Sequence, residues 1–191
     1  MIIGIAGPAY AGKSTVASII RDNLIVPAVV RPLAAHMKEL ARTLFGWDGC
    51  KDEKGRKFLE LVGDLGRTYD EAKWLDHWEN DVRGLLAHLD VAIDSPRLAV
   101  IMDDMRLPIE YERVKAMGEK NIVLRLVAGE EVRKARAEKR GEVLIDSGHK
   151  TRDSYLELDY DHLVVNDGDL CITITQVRDI LEQHGLPVHR G

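Results

Sequence analysis

Short apolar runs alternate along the chain with longer segments in which apolar residues recur every three or four positions. The runs that are typical of buried strands cover residues 1–6, 28–30, 98–102, 122–127 and 162–165. Helical patterns lie between them, beginning at residues 14–24, where Val16, Ile19 and Ile20 share one side. Strands that alternate with helices indicate βαβ units. The pattern therefore predicts an α/β fold in three layers, α/β/α, around a parallel sheet.

The later helices have recognisable faces and ends. Residues 69–90 predict one long helix with an apolar face formed by Leu75, Trp78, Val82, Leu85 and Leu89. Pro108 is placed to begin the next helix and Gly118 to end it. A last helix is expected over residues 173–185, followed by a frayed tail.

Two stretches do not fit a simple βαβ repeat. More than fifty residues separate the second and third predicted strands, which is too long for one crossover helix, so residues 32–90 are interpreted as a helical insertion over one end of the sheet. Residues 129–140 are almost wholly polar and predict an exposed helix, the start of a lid region over 129–152. The length of 191 residues is consistent with one domain.

Composition limits the classes of partner. A net charge of −5 excludes the bulk positive field of a general binder of polymeric nucleic acid or of membrane surfaces. No apolar run is long enough to span a bilayer, and Cys50 and Cys171 have neither disulfide-framework nor zinc-site spacing. We therefore expect a protein of a reducing cytoplasm that binds any anionic ligand locally.

Residues 7–14 match the G-x-x-x-x-G-K-[ST] pattern of a P-loop in full, directly after a strand and at the start of a helix. In that context the glycines let the backbone form a nest for phosphate oxygens at the helix N-terminus. Lys13 is expected to contact the β- and γ-phosphates, and Ser14 to hold Mg²⁺. The predicted ATP-binding residues of this segment are Gly7, Ala9, Tyr10, Ala11, Gly12, Lys13, Ser14 and Thr15.

Asp103 and Asp104 follow the third strand, at the sheet edge where ligands bind in such folds. One carboxylate there suits the Mg²⁺ that accompanies a P-loop nucleotide. Both residues are metal candidates together with Ser14, and the sequence does not choose between them. Solvated loop acids are the alternative interpretation.

An ordered set of further segments resembles the phage-type deoxynucleoside monophosphate kinases. The matching stretches are residues 31–40 with Phe45 and Gly46, residues 51–56, residues 61–67 with Trp74, residues 104–110, and residues 161–168. There are departures: Leu107 and Ile109 replace a Phe and an Asn, and residues 149–152 lack an expected Glu. The resemblance covers most of the chain, and the P-loop is its one specific motif.

The resemblance implies roles for particular residues. It places the acceptor-binding residues at Lys38, Arg56, Arg67, Trp74, Arg106 and Glu110, with Trp74 either stacking on a base or packing in the core. It makes Arg133 and Arg136, and then Arg140, lid arginines that close over the transferring phosphoryl group. Lys13 and Asp104 are the other predicted catalytic residues. The alternative for the three arginines is an ordinary solvated helix. The turn formed by Asn166, Asp167 and Gly168 is expected to contact the adenine of ATP.

These residues predict a P-loop kinase that transfers the γ-phosphoryl group of ATP, with Mg²⁺, to a nucleoside monophosphate, a deoxynucleotide by the resemblance. A homodimer is implied by the resemblance alone. One alternative is a kinase similar to dephospho-coenzyme A kinase, whose hydroxyl acceptor needs a general base. Another is an ATP-dependent switch protein without a small acceptor, against which the long insertion argues.

Overall fold

The computed structural model describes residues 1–50, 52–142 and 154–189. Its regular elements are β1 (Ile2–Ala6), α1 (Lys13–Asn23), β2 (Ala28–Val30), α2 (Ala35–Phe45), α3 (Glu53–Tyr69), α4 (Lys73–His88), β3 (Ala99–Met105), α5 (Pro108–Met117), β4 (Ile122–Val127), α6 (Glu130–Glu138), β5 (His162–Val165) and α7 (Leu170–Gln183). One short 3-10 turn, Ser154–Leu156, precedes β5.

The strands form one parallel sheet in the order β2-β3-β1-β4-β5. The central strand β1 is buried along its whole length, with Ile3 paired to Ile101 of β3 and to Ile122 of β4. Strands buried on both faces must be apolar throughout, which explains the continuous runs in the sequence. Because all strands point the same way, the loops that follow them lie along one edge of the sheet.

Two hydrophobic cores cover the two faces of the sheet. Ile3 and Ile5 belong to the core that α1 and α7 close, whereas Ile2 and Ala6 belong to the core that α4 and α5 close. This division follows the two-residue alternation of a strand. The predicted three-layer α/β/α architecture with a parallel sheet is confirmed.

The region between β2 and β3 is helical, and it consists of α2, α3 and α4. The helix predicted over residues 69–90 is α4, but it begins only at Lys73, because the chain becomes extended at Asp70, where α3 ends. The buried face of α4 also passes through Leu86, while Leu89 is 45% exposed at the end of the helix.

Other element ends differ from the sequence pattern. β3 continues to Met105, so that Asp103 and Asp104 belong to the strand itself. α7 starts earlier than predicted because the Asp169 carboxylate accepts the backbone N–H of Cys171 at 2.8 Å.

The prediction of a frayed tail is wrong for residues 186–189. Leu186 and Val188 are buried, the N–H of His189 donates to the carbonyl of Asn23 at 2.9 Å, and the N–H of Ile25 donates to Pro187 at the same distance. An isolated antiparallel bridge joins Leu24 to Val188. The tail thus extends the core beneath α1.

Helix α6 forms the first part of the predicted lid, while residues 143–153, including the 149–152 segment that departs from the family pattern, lie outside the described residues. Cys50 and Cys171 are exposed free thiols. In the part of the chain that the structure describes, no helix has both the length and the apolar content needed to cross a membrane.

Candidate active site

The loop between β1 and α1 curls around the N-terminus of α1. Gly7, Tyr10 and Gly12 have positive φ angles of 149°, 61° and 97°. A Cβ at Gly7 would lie 2.4 Å from the carbonyl oxygen of Leu126, and one at Gly12 would lie 2.4 Å from Nδ2 of Asn166, so both positions require glycine. Such a backbone course at a helix N-terminus forms a concavity that binds phosphate.

Lys13, the first residue of α1, folds back over this loop. Its Nζ donates hydrogen bonds to the carbonyl oxygens of Gly7 and Pro8 at 2.7 and 2.9 Å. Burial lowers the pKa of Lys13 to about 8, and the neighbouring positive charge of Arg106 acts in the same direction. The ammonium is therefore mostly protonated at neutral pH, above a loop whose ligand can take over its hydrogen bonds.

Ser14 and Asp103 face each other across the sheet edge. The Ser14 hydroxyl donates to Oδ2 of Asp103 at 2.8 Å. Within the described residues no three His, Cys, Asp or Glu side chains gather as a metal-binding cluster. A hydroxyl and one carboxylate are nevertheless the protein donors that suit Mg²⁺, which takes its remaining ligands from water and phosphate. The donor set therefore fits a nucleotide-bound Mg²⁺.

Asp104 has a different environment from Asp103. Its two carboxylate oxygens accept the backbone N–H groups of Leu33 at 2.7 Å and Ala34 at 3.0 Å. Burial raises the pKa of Asp104, and the negative charge of Asp103 adds to the rise. Asp104 thus holds the loop that leads into α2, and this geometry corrects the expectation that it is an equal candidate for the metal.

One cavity of about 880 Å³ extends from the phosphate-binding loop to the helices of the insertion. Its lining at the loop end includes Gly7, Ala9, Tyr10, Lys13 and Ser14. At the other end it includes all of the predicted acceptor residues: Lys38, Arg56, Arg67, Trp74, Arg106 and Glu110. Ala11 is fully buried behind the loop and Thr15 is exposed on α1, so neither lines the cavity. The structure brings cations from α2, α3 and the β3–α5 connection together around one space.

Arg56 lies on the inner side of α3 with its side chain 25% exposed. Its guanidinium forms an ion pair with Glu142, which follows the lid helix, and donates to the Tyr10 hydroxyl at 2.8 Å. The Tyr10 hydroxyl donates in turn to Glu142 at 2.8 Å. These contacts join the phosphate-binding loop, the insertion and the end of the lid helix across the cavity.

Arg67 and Trp74 form the far wall of the cavity, where α3 meets α4. The Arg67 guanidinium donates to Asp64 at 2.8 Å, one turn earlier on α3. Trp74 donates from its indole Nε1 to the carbonyl of Gly63 at 2.9 Å, and its ring fills the space beside Gly66. Trp74 therefore packs between the helices and also borders the cavity, so both of its predicted roles have a structural basis.

Glu110 caps the N-terminus of α5. Its Oε2 accepts the N–H groups of Arg106 at 2.5 Å and Leu107 at 3.0 Å, and the residue is only 4% exposed. Burial raises the pKa of Glu110 to about 7 against the opposing effect of these hydrogen bonds. That oxygen orients the loop that carries Arg106, and the assignment of Glu110 to the acceptor site stays a prediction.

Arg133 and Arg136 of the lid helix α6, and Arg140 just beyond its end, have different positions. Arg133 and Arg140 line the cavity, and Nε of Arg133 donates to the carbonyl of Ala128 at 3.2 Å. Arg136 does not line it. Its guanidinium donates to the carbonyl oxygens of Ala11 at 3.1 Å and Asn166 at 2.9 Å, which ties α6 to the back of the phosphate-binding loop. These contacts give Arg136 a part in positioning the loop, and its catalytic role stays a prediction.

The turn after β5 also lies behind the phosphate-binding loop. Asn166 is 3% exposed; its Nδ2 donates to the carbonyl of Ala11 at 2.7 Å, and its Oδ1 accepts the Thr173 hydroxyl at 3.2 Å. Asp167 accepts the N–H of Gly129 at 2.5 Å, and Gly168 is exposed with a φ of 150°. The Asn166 amide thus supports the phosphate-binding loop, and the expected contact of the turn with adenine stays a prediction.

Sequence reasoning missed several residues around the cavity. Tyr155 of the 3-10 turn lines it, and Arg125 of β4 fixes that turn by donating to the carbonyls of Tyr155 at 2.6 Å and Leu156 at 2.7 Å. Glu142 and Lys134 also line it. An arginine inside an otherwise apolar strand was the available signal for Arg125, whereas nothing local marks Tyr155 or Glu142.

Comparison with known proteins shows the fold. No family model matches the chain, and no curated protein matches it in sequence. Among solved structures, the tunicamycin resistance protein of Deinococcus radiodurans is 16% identical, with a TM-score of 0.56 over 100% of this chain and 99% of that one. The shikimate kinase of Bacteroides thetaiotaomicron is 16% identical, with a TM-score of 0.52 over 97% and 99% of the two chains.

A deoxyadenosine kinase from M. mycoides with bound dCTP is 18% identical, with a TM-score of 0.50 over 96% of this chain and 100% of that one. These proteins differ in what their names say they act on, and each matches nearly the whole chain. The chain therefore has a P-loop kinase-like fold.

Proposed function

We propose that the protein transfers the γ-phosphoryl group of ATP to a nucleoside monophosphate, specifically a deoxynucleotide, with Mg²⁺ as cofactor. The observation that carries the proposal is the position of cations at both ends of a single cavity. Lys13 lies at the phosphate-binding loop, and Lys38, Arg56, Arg67 and Arg106 lie at the insertion. A site for two ligands that both carry phosphate needs this distribution.

Transfer to a phosphate acceptor needs no strong general base. An acceptor phosphate is already an anionic nucleophile, so the main requirements are in-line positioning, neutralisation of two polyanions and exclusion of water. Arginine suits the acceptor end because its planar fork binds phosphate through two hydrogen bonds. Lys13 is assigned to the β- and γ-phosphates, and Arg133 and Arg140 to the charge that is shared between donor and acceptor during transfer.

Ser14 and Asp103 are the residues assigned to Mg²⁺. When bound, the ion neutralises charge on the transferring phosphates. Because the Ser14 hydroxyl and the Asp103 carboxylate are 2.8 Å apart, the chain places a neutral and an anionic oxygen donor side by side at the sheet edge. In this scheme Asp104 orients the acceptor loop, the segment with Leu33 and Ala34 that leads into α2.

The nucleoside part of the acceptor is assigned to the mixed wall of the cavity. Trp74, Tyr155, Met37 and Leu59 line the same space as the acceptor cations. Aromatic and apolar groups beside cations suit a flat base that carries a phosphate. A homodimer and a cytoplasmic location belong to the same proposal; the homodimer rests on the resemblance, and the location rests on the spacing of the two cysteines.

One assay tests the proposal. Purified protein with Mg-ATP is offered each ribo- and deoxynucleoside monophosphate, with release of ADP measured by a coupled reaction. We expect release that depends on a nucleoside monophosphate and that is fastest with a deoxynucleotide. ATP binding without acceptor-dependent turnover for any small acceptor contradicts the kinase proposal and favours a nucleotide-dependent switch.

A second candidate is a kinase with a hydroxyl acceptor, similar to dephospho-coenzyme A kinase. The observation that favours it is the pair of carboxyls with raised pKa values, Asp104 and Glu110, at the acceptor end of the cavity. Both already accept backbone N–H groups, which makes either a poor proton acceptor. Turnover with dephospho-coenzyme A, and with no nucleoside monophosphate, would select this candidate.

A further inference from the structure

The contact between Arg56 and Glu142 places a carboxylate of the protein on a cation assigned to the acceptor. The Arg56 and Glu142 side chains are 25% and 30% exposed, so water screens their attraction less than at an open surface. Glu142 itself lines the cavity, a few residues beyond the end of α6. The carboxylate therefore lies inside the space that the acceptor has to enter.

Tyr10 completes the contact from the side of the phosphate-binding loop. Its backbone has a φ of 61°, a left-handed conformation that is costly for a residue with a Cβ. Its hydroxyl accepts a hydrogen bond from Arg56 and donates one to Glu142, both at 2.8 Å. The Tyr10 hydroxyl therefore links the conformation of the phosphate-binding loop to the contact between Arg56 and Glu142.

Carboxylate and phosphate compete for the same groups of an arginine, because both accept hydrogen bonds from its planar fork. A dianionic phosphate carries more charge than a carboxylate and offers more acceptor oxygens. A neutral nucleoside has neither, so it cannot replace Glu142 on Arg56.

We propose that Glu142 is an internal substitute for the acceptor phosphate, which occupies Arg56 in the free protein and which the incoming phosphate displaces. This inference rests on the proposed function, in that the displacing anion is the phosphate of the acceptor. Displacement separates the residue after the lid helix from α3 and frees the Tyr10 hydroxyl. Glu142 thereby restricts the acceptor end of the cavity to ligands with a phosphate strong enough to take its place.

The test is a calorimetric titration with inorganic phosphate, which requires neither ATP nor turnover. Glu142→Gln keeps the size of the side chain and removes its charge, so we expect phosphate to bind at least about threefold more tightly than to the wild type. The matched control is Glu138→Gln, which neutralises an exposed carboxylate at the end of α6 and should leave the dissociation constant unchanged.

A second pair of variants separates displacement from a general change in charge. In an Arg56→Ala background, Glu142→Gln should no longer alter phosphate affinity, because the arginine for which phosphate and Glu142 compete is absent. Tightening that persists without Arg56 overturns the proposal, as does a Glu142→Gln protein that binds phosphate no better than the wild type. If Glu142→Gln binds phosphate more tightly, as expected, but no nucleoside monophosphate is turned over, the proposed function fails while the competition between Glu142 and phosphate for Arg56 is supported.

Discussion

At the scale of single residues, the cations of the cavity are held by internal oxygen atoms. Lys13 binds two carbonyl groups, Arg56 binds Glu142 and Arg67 binds Asp64. On the proposed function, an entering phosphate takes the place of these oxygen atoms on the cations that it reaches. The cations are therefore already oriented and largely desolvated before the ligand arrives, which is the condition under which electrostatic stabilisation is most effective.

The lowered pKa of Lys13 gives nucleotide binding a pH dependence. The group has a pKa of about 8 in the free protein, and bound phosphates favour its charged form, so binding above pH 8 requires uptake of a proton. We expect the affinity for Mg-ATP to be constant below about pH 7.5 and to fall by up to about tenfold per pH unit above the pKa. Calorimetry between pH 6.5 and 9.5 measures this directly.

The control for this prediction is Lys13→Ala, which should bind weakly at every pH and show no fall above pH 8. Its loss of phosphoryl transfer should amount to several kcal/mol, on the order of a thousandfold or more in rate. Parallel pH profiles for wild type and variant would contradict the assignment of the dependence to Lys13.

Arg67 provides a test of the acceptor end. Arg67→Ala removes one charged fork from the cavity wall and should lower kcat/KM for the acceptor by about 1.5–3 kcal/mol, roughly 10- to 150-fold. The KM for ATP should change little. Arg83→Ala, which removes an exposed arginine of α4 that does not line the cavity, is the matched control. Equal effects of the two variants would remove Arg67 from the acceptor site.

At the scale of elements, the helices of the insertion are fixed by close backbone approach as well as by apolar packing. A Cβ at Gly66 of α3 would lie 2.5 Å from the ring of Trp74, whereas at Gly84 of α4 nothing lies within 4 Å. The same residue type therefore has crowded surroundings at Gly66 and open surroundings at Gly84. One permits α3 and α4 to meet at the cavity wall, and the other is a plain helix interior.

This contrast predicts opposite effects of the same substitution. Gly66→Ala should destabilise the protein by about 1–3 kcal/mol, because the rigid indole must move. Gly84→Ala should stabilise it by about 0.5–1 kcal/mol through helix propensity. Urea unfolding monitored by circular dichroism gives both values. Stabilisation by both substitutions would show that the wall adapts without cost.

The raised pKa of Glu110 makes the N-terminus of α5 sensitive to pH. With a folded-state pKa of about 7, above the ordinary 4.5, the folded protein binds this proton more tightly than the unfolded chain. The resulting stability is fully present below pH 4.5 and is lost as the pH rises through 7. Glu110→Gln is neutral at every pH and still offers an oxygen to the N–H groups of Arg106 and Leu107.

We therefore expect the free energy of unfolding of Glu110→Gln, relative to the wild type, to rise by an amount on the order of 3 kcal/mol between pH 5 and pH 8. Denaturant titrations at several pH values measure the difference. Glu112→Gln, an exposed position on the same helix, is the control and should follow the wild-type curve. A Glu110→Gln curve that also follows it would contradict the assignment.

The elements differ in how well sequence alone predicts them. Strands such as β4 and β5 were located to the residue because each is a short, mostly apolar run, although β5 is an edge strand on which only Val164 is buried. The start of α4 was predicted at residue 69 instead of Lys73 because residues 70–72, which separate α3 from α4, contain no glycine or proline to mark the boundary. The roles of Arg136 and Asn166 were also missed, because their contacts with the carbonyl of Ala11 join segments that are distant in sequence.

At the scale of the whole molecule, the phosphate-binding loop is supported from behind by the second half of the chain. Arg136 of α6 and Asn166 after β5 both donate to the carbonyl of Ala11, and Asn166 also accepts hydrogen bonds from Arg136 and Thr173. The acceptor loop is supported separately, through Asp104. Apart from the Tyr10–Arg56–Glu142 contact across the cavity, the two ends are thus fixed by separate networks of hydrogen bonds.

This separation predicts a selective effect for Asn166→Ala. The substitution removes a buried amide and leaves the Thr173 hydroxyl and the Ala11 carbonyl with fewer partners, at a cost of about 1–3 kcal/mol in unfolding free energy. Because the lost contacts support the donor loop alone, the KM for ATP should rise several-fold more than the KM for the acceptor. Asn23→Ala, which loses one hydrogen bond to the carbonyl of Ile19 within α1, is the control for stability. Steady-state kinetics with each substrate varied in turn measure the split, and equal rises in both KM values would show that the two networks act as one.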